Sequence, residues 1–458
     1  MCEISPDIFK AYDIRGVVGR TLTPPVVERL GRAIGSEARA RGLAEIVVGR
    51  DGRLSSPELS AALVTGLRLA GVGVVDIGLV ATPMAYFAAY HLGSHSAVMV
   101  TGSHNPPDYN GLKIVLGDET LAGDAIQGLR RRIETESYSD DEGGYREQDI
   151  AQAYLERIVA GVHLARPMKI AVDCGNGAAG VIAPRLFEAL GCRVDPLHCR
   201  VDGHFPHHHP DPSQPDNLRD LIARLREGDA EIGLAFDGDG DRLGVVTKGG
   251  DIVYPDRLLM LFADDVLARH PGARVLYDVK STRHLHQWIA DRGGEPMLWK
   301  SGHSLMKARM RETGALLAGE LSGHIFIAER WYGFDDGLYA AARLLEYLSG
   351  QTDFDATLNA LPDSVNTPEL LIPMPEGEAR RLVATLQQHA RIEGAERIIT
   401  LDGLRVEFPD GFGLVRASNT TPMLVLRFEA DDKAALARIK QAFRDMMAPF
   451  SSVAAAIP

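Results

Sequence analysis

The chain reads as three successive α/β units with mixed sheets, followed by a smaller α+β domain. Two observations predict this. Up to about residue 363, short β-branched and apolar runs alternate with helix-length amphipathic stretches, and each run stops at a glycine-rich or polar turn, as βαβ units do. Roughly the last hundred residues instead give extended runs parted by tight turns, with helical stretches at 377–390 and 431–447, which suits antiparallel strands. A length of 458 residues accommodates three or four domains. The expected boundaries are 1–150, 151–252, 253–363 and 364–458.

Composition narrows the classes of function. With 45% hydrophobic and 24% charged residues the chain is an ordinary globular protein. A formal charge of -13 argues against a nucleic-acid binder, whose footprint would be basic, but leaves room for a small anionic substrate in a locally positive cleft. The four cysteines (Cys2, Cys174, Cys192, Cys199) form no CxxC pair and suit a reducing compartment. The opening MCEISPDIFKAYDIRG has no apolar signal core, and no apolar run reaches ~18 residues, so a cytoplasmic protein without a membrane partner is expected.

In the first unit, FKAYDIRGVVGR (9–20) sets Tyr12 and Arg15 among polar and glycine residues, where an arginine can reach a phosphate or simply be a solvated turn residue. A helix over 26–41 is followed by AEIVVGRDGRLSSPEL, a strand, a turn and a helix opened by Ser55-Ser56-Pro57. A strand at 73–77 and a helix at 82–91 lead to VMVTGSHNPPDYNGLK (98–113). Its apolar run stops at a polar turn, which puts Ser103 and His104 at the carboxyl end of a strand, where α/β sheets carry their chemistry, and Lys113 on the next segment. Taken alone, these residues are equally compatible with a plain turn. The charged run at 132–147 reads as a surface excursion.

In the second unit, MKIAVDCGNGAAG gives a strand and a turn, with a helix over 178–190, and it lacks a dinucleotide fingerprint. The run His207–His209 lies in a Pro-flanked loop. Adjacent residues there point apart, so the run reads as a substrate-side or structural loop rather than a metal site. At 232–246 a strand ends in Asp237-Gly238-Asp239-Gly240-Asp241-Arg242. Alternate carboxylates can converge on one hard cation while the glycines relieve crowding. A calcium loop would need glutamate where Lys248 stands, so a magnesium site with open positions for a phosphoryl oxygen fits better.

The third unit places Lys280, Ser281 and Arg283 after one strand, and Gly302, His303 and Lys307 after the next. In GELSGH, Glu320, Ser322 and His324 alternate, and an extended loop would project them to one side to grasp adjacent sugar hydroxyls. Asp335 or Asp336 caps the helix that follows. In the last domain Arg416, Ser418, Asn419 and Thr420 crowd one strand end as phosphate donors, and the tail FSSVAAAIP reads as a loose terminus. One potential phosphoryl acceptor, one metal loop, one hydroxyl-reading loop and one phosphate loop, each in a different unit, suit a cleft enzyme for a phosphorylated sugar.

Five segments, FKAYDIRG, TGSHNPPDYNGLK, FDGDGDR, GELSGH and RASNTTP, occur in this order along nearly the whole chain. Together they resemble the phosphomannomutase/phosphoglucomutase group of the alpha-D-phosphohexomutase superfamily. The resemblance implies four domains around a central cleft, and a phosphate carried on Ser103 in the resting enzyme. It implies Mg²⁺ held by that group and by Asp237, Asp239 and Asp241. It sets Tyr12, Arg15, Lys113, Arg242, Lys280 and His303 around the reaction centre, with Lys113 and His303 both open as the base. Glu320, Ser322 and His324 would read the sugar, and Arg416, Ser418, Asn419 and Thr420 would clamp the distal phosphate. The implied reaction interconverts hexose 6- and 1-phosphates of mannose and glucose through a hexose 1,6-bisphosphate, in a monomer that feeds nucleotide-sugar supply for lipopolysaccharide or exopolysaccharide. Leu321 stands where phosphoglucosamine mutases usually carry glutamine, which disfavours that rival. A metal-assisted phosphatase would not need the distal clamp, and an inactive sugar-phosphate binder would be expected to have lost Ser103 or an aspartate.

Overall fold

The computed structural model describes residues 4–389, 391–419, 421–450, 453 and 455–457. The first sheet is mixed. Glu45–Arg50 lies parallel to Ala97–Val100 on one side and to Gly73–Leu79 on the other, while Tyr109–Leu116 returns antiparallel to Ala97–Val100 and pairs with Ile14–Val17. The Ser103 turn is therefore the connection of a hairpin, and Lys113 sits opposite Met99 on the returning strand. The 132–147 run is not all excursion: Tyr145–Glu147 adds a parallel edge strand to Gly73–Leu79. Its side chains are all exposed, so no apolar alternation marks it in sequence, and only backbone pairing reveals it.

The second sheet runs Ile252–Val253, Leu243–Thr247, Ile232–Phe236, Lys169–Asp173, Arg193–Leu197, with the aspartate loop joining the antiparallel pair Ile232–Phe236 and Leu243–Thr247. The helix expected over 178–190 is split into a 3-10 turn Ala178–Val181 and a helix Ala183–Ala189, because Pro184 lacks the N–H to continue a turn and suits a new start. The third sheet runs Glu295–Trp299, Arg274–Asp278, Leu317–Gly319, Ile325–Ile327. The fourth is wholly antiparallel, centred on Gly411–Ala417 and Met423–Ala430 and backed by the helices Glu378–His389 and Lys433–Met446.

The helix Thr82–His91 is buried at every residue through Ala89, which explains its apolar character all round. One continuous core joins it (Met84, Phe87) to Tyr154, Phe187 and Phe236 of the second unit and to Trp331 and Tyr339 of the third. The last domain has a core of its own, including Leu382, Val406, Phe428 and Phe443. It meets the third unit through a small patch of Val279, Phe412 and Leu414 and through Arg405, whose Nη1 donates to the carbonyls of Val279 and Ser281 at 2.8 Å each. Of the tail, Val453 and Ile457 are buried in that last core, because an apolar side chain there has a hydrophobic face beside it to cover. Among the described residues, no helix is long and apolar enough to cross a membrane.

Candidate active site

Ser103 adopts φ +48°, which turns the chain sharply after Thr101. The turn is held from beneath by a buried arginine. Arg53 donates to the carbonyls of Ser103 (2.8 Å), Asn105 (2.6 Å), Pro106 (2.5 Å) and Tyr109 (3.0 Å), so one guanidinium gathers four acceptors of the loop. Gly102 is required for this, since a methyl group there would lie 2.1 Å from Arg53 Nε. Ser103 N donates to Thr101 Oγ1 at 2.8 Å, and Ser103 Oγ donates to Asp237 Oδ2 at 2.9 Å.

The aspartate loop meets this turn face to face. A Cβ at Gly238 would fall 2.3 Å from the Ser103 carbonyl, so the two backbones touch only because that residue is glycine. Asp237, Asp239 and Asp241 are fully buried, and one oxygen from each lies within 4.8 Å of the others. Lys113 Nζ donates to Asp239 Oδ2 at 2.7 Å and also to Asp241 Oδ2, while Thr82 Oγ1 and Thr101 Oγ1 donate to Asp239 Oδ2 at 2.6 and 3.1 Å. Burial opposes the Lys113 charge, but the two carboxylates outweigh it and hold its pKa well above the usual lysine value. Burial, reinforced by the repulsion of Asp239 and Asp241, drives the Asp237 carboxyl well up. Among the described residues, Asp239 Oδ1 and Asp241 Oδ1 are buried without a hydrogen-bond partner. An all-oxygen set with surplus negative charge and two unsatisfied oxygens fits a hard divalent cation.

Positive groups ring the serine. Arg15 is anchored by Asp13 (Nη2 to Oδ2, 2.6 Å) and donates from Nη1 to the Thr101 carbonyl at 3.2 Å. His104 Nδ1 is 3.1 Å from Ser103 Oγ, and burial followed by the nearby Arg242 pushes this ring well down, to the neutral form. Arg242 Nε lies 3.3 Å from His324 Nε2.

The GELSGH loop does not take the extended form that its alternation suggests. It is a tight hairpin turn between Leu317–Gly319 and Ile325–Ile327, closed by Gly323 N donating to the Glu320 carbonyl at 3.1 Å, with Gly323 at φ +104°. The turn itself gathers the three side chains: His324 Nδ1 lies 3.1 Å from Glu320 Oε2 and 3.0 Å from Ser322 Oγ. Glu320 Oε1 accepts from Gly302 N at 2.6 Å, and Gly302 precedes His303, whose ring meets Tyr12 edge-on at 5.0 Å. Burial, with Lys307 and Lys113 close by, pushes His303 well down. Asp336 caps the helix Gly337–Ser349 through Tyr339 N at 2.8 Å, while Asp335 turns inward to Lys307 Nζ at 2.7 Å and to His303.

His324 sets a pH dependence. Burial and Arg242 disfavour its charged form, but Asp241 and Glu320 prevail and raise it from 6.5 to about 9. A raised folded-state pKa stabilises fully below the unfolded value and loses that contribution as pH climbs through the folded one. Chelator-treated protein is expected to lose on the order of 3 kcal/mol of stability between about pH 6.5 and 9, and His324→Asn to flatten that slope. Urea unfolding across this range checks it, and equal slopes for parent and variant would refute it.

Further along the cleft, Lys280 Nζ lies 3.2 Å from Glu369 Oε1, Arg416 Nη2 lies 3.1 Å from Asp402 Oδ2, and Asn419 Nδ2 donates to the Ser301 carbonyl at 3.1 Å. Ser418 Oγ accepts from Thr421 Oγ1 at 2.9 Å, and Thr420 lies outside the described residues. A cavity of about 220 Å³ opens between Lys10 and Ala11 on one wall and Ala417, Ser418 and Asn419 on the other. Sequence reasoning overlooked Asp13, Arg53, Thr82, Thr101 and Asp402. The doubled glycine-arginine spacing of GRDGR (49–53) was the one available signal for Arg53. The threonines and single aspartates carry no local pattern and matter only through partners distant in the chain.

Four models of phosphoglucomutase/phosphomannomutase match in order: alpha/beta/alpha domain I over 6–140, domain II over 152–250, domain III over 254–365, and the C-terminal domain over 369–446. The chain is 58% identical over 447 residues to a phosphoglucomutase of Neisseria meningitidis serogroup A, covering 97% of both chains. It is 57% identical over 441 residues to a phosphomannomutase/phosphoglucomutase of Pseudomonas aeruginosa, covering 96% of this chain and 95% of that one. A crystal structure of a phosphoglucomutase/phosphomannomutase family protein from Burkholderia thailandensis superimposes with a TM-score of 0.93 at 57% identity, over 97% of this chain and 98% of that chain. With four domain models in sequence and full-length relatives above half identity, the chain belongs to the phosphoglucomutase/phosphomannomutase family of alpha-D-phosphohexomutases.

Proposed function

We propose that the protein interconverts the 6- and 1-phosphates of glucose and mannose by two phosphoryl transfers through Ser103. The observation that carries this reading is Ser103 Oγ at 2.9 Å from Asp237, within a ring of carboxylates, Arg15 and Lys113. In the first transfer the bond from Ser103 Oγ to phosphorus breaks and a free sugar hydroxyl oxygen takes the phosphoryl group, its proton leaving to a base. The product is a hexose 1,6-bisphosphate. After this intermediate turns over, Ser103 Oγ accepts the other phosphoryl group, and the isomeric monophosphate leaves.

Asp237, Asp239 and Asp241 would hold Mg²⁺ with the serine-borne phosphate, and the ion would supply neutralisation of charge on the phosphoryl oxygens. Lys113, fixed as a cation by its two carboxylates, fits charge compensation rather than proton removal. His303 is driven to the neutral form, and among the described residues its Nδ1 makes no hydrogen bond, Asp335 Oδ2 lying 3.5 Å away, which leaves it the better candidate base. Arg15 would bind the transferring group. Glu320, Ser322 and His324 would read hydroxyls common to both orientations, and Arg416, Ser418, Asn419 and Thr420, with Lys280, would hold the phosphate that is not reacting. One chain carries every one of these groups, so a monomer suffices.

Glucose and mannose differ only at C2, and a site that accepts its substrate either way round cannot exclude either strictly. A coupled assay should give kcat/KM values for glucose 1-phosphate and mannose 1-phosphate within about tenfold of each other, with glucosamine 1-phosphate well below both. A preference for glucosamine 1-phosphate would overturn the substrate assignment. Release of inorganic phosphate as fast as isomerisation would point to a phosphatase instead.

A further inference from the structure

The His207–His209 run sends its rings to three different partners. His207 Nδ1 lies 2.8 Å from Asn176 Oδ1, His208 Nε2 lies 3.0 Å from Asp173 Oδ2, and His209 Nε2 meets the His104 carbonyl. As a run they cannot chelate. A long-range grouping can: ligand atoms of Asp173, His198 and His208 all lie within 4.8 Å of one another. Asp173 is buried at the end of the strand Lys169–Asp173, held by Gly175 N at 2.8 Å, while both imidazoles are half-buried and open to an entering ion.

Two contacts fix the His198 ring. His207 stacks on it at 3.9 Å, and Asp220 Oδ2 lies 2.9 Å from its Nε2. A carboxylate on one imidazole nitrogen selects the tautomer and makes the other nitrogen a better donor, as behind metal-bound histidines. Two imidazoles and one carboxylate suit a borderline cation of the Zn²⁺ kind, in contrast to the all-oxygen aspartate loop.

We propose that Asp173, His198 and His208 form a second metal site, for a transition-metal ion of the Zn²⁺ class, with a fourth position left for water. Binding displaces the proton shared by His208 and Asp173. It also spreads their contact atoms from 3.0 Å to the ~3.3 Å edge of a tetrahedron with bonds near 2.0–2.1 Å. Two contacts join this segment to the serine turn and the aspartate loop: His209 Nε2 meets the His104 carbonyl, and the Pro210 carbonyl accepts from Gly238 N at 3.1 Å.

The test uses the untagged full chain with excess Mg²⁺ to fill the aspartate loop, titrated with Co²⁺ for its visible absorption and with Zn²⁺ against a chromogenic chelator. A single tightly held equivalent is expected. His198→Asn and His208→Asn should each weaken Zn²⁺ binding by more than the roughly 10–100-fold that loss of an outer-shell partner costs. Parent protein that takes up no Zn²⁺ under excess Mg²⁺ overturns the site, as does unchanged binding by His198→Asn. Binding that disappears in Asp239→Asn but survives in His198→Asn would place the ion in the aspartate loop and also overturn it. Should His208→Asn fail to fold, the parent titration and the half-buried His198 still decide the question.

Discussion

Ser103→Ala is expected to carry no phosphate and to isomerise hexose phosphates at least about 10³–10⁴-fold more slowly than the parent. The change is local. The Ser103 turn is held by its backbone, through Arg53 and Thr101 Oγ1, and alanine keeps the same Cβ at φ +48°, so no new strain enters. What disappears is the hydroxyl proposed to accept the phosphoryl group, together with the donor to Asp237 Oδ2. Intact-mass measurement after incubation with a hexose 1,6-bisphosphate, beside a coupled mutase assay, reads both outcomes. A phosphorylated Ser103→Ala protein would show that the acceptor lies elsewhere.

Lys113→Ala should cost stability as well as rate. It removes the cation shared by Asp239 and Asp241, both fully buried, and breaking such a pair from one side costs about 3–5 kcal/mol because a charge is left uncompensated. A divalent cation neutralises the same carboxylates, so added Mg²⁺ should restore much of the stability. The rate should stay depressed, since a cation at the aspartates does not replace the ammonium in its own position. Urea unfolding with and without Mg²⁺, paired with steady-state rates, separates the two effects. A variant as stable as the parent in chelator would remove Lys113 from the charge balance.

The parts legible in sequence were those that local chemistry marks. A strand of Val, Met and Val ending at a polar turn announces its own end, and alternate aspartates and glycines announce both a tight loop and a charge problem. Less legible were features set by distant partners. Tyr145–Glu147 is a strand only because the edge of Gly73–Leu79 is open beside it, and Val453 and Ile457 are ordered only because the last core has room for them. The GELSGH loop shows a third limit. Alternation in sequence predicts one shared face, yet a glycine at φ +104° folds the segment into a hairpin, and Glu320 and His324 meet across the turn. Arg53 is illegible for a similar reason: the GRDGR spacing hints at a special arginine, but not that four carbonyls some fifty residues later meet it.

The continuous core through Phe87, Phe236 and Tyr339 packs the first three domains against one another, while the last domain keeps a core of its own and rests on Val279, Phe412 and Leu414. Buried contacts thus group four domains into two packed bodies. A destabilising change anywhere in the first body is therefore shared by the serine, the aspartate loop and the sugar-reading turn together. A change in the last core bears first on the strand Gly411–Ala417 that carries Arg416, so substrate affinity and phosphoryl chemistry are expected to drift separately under mutation.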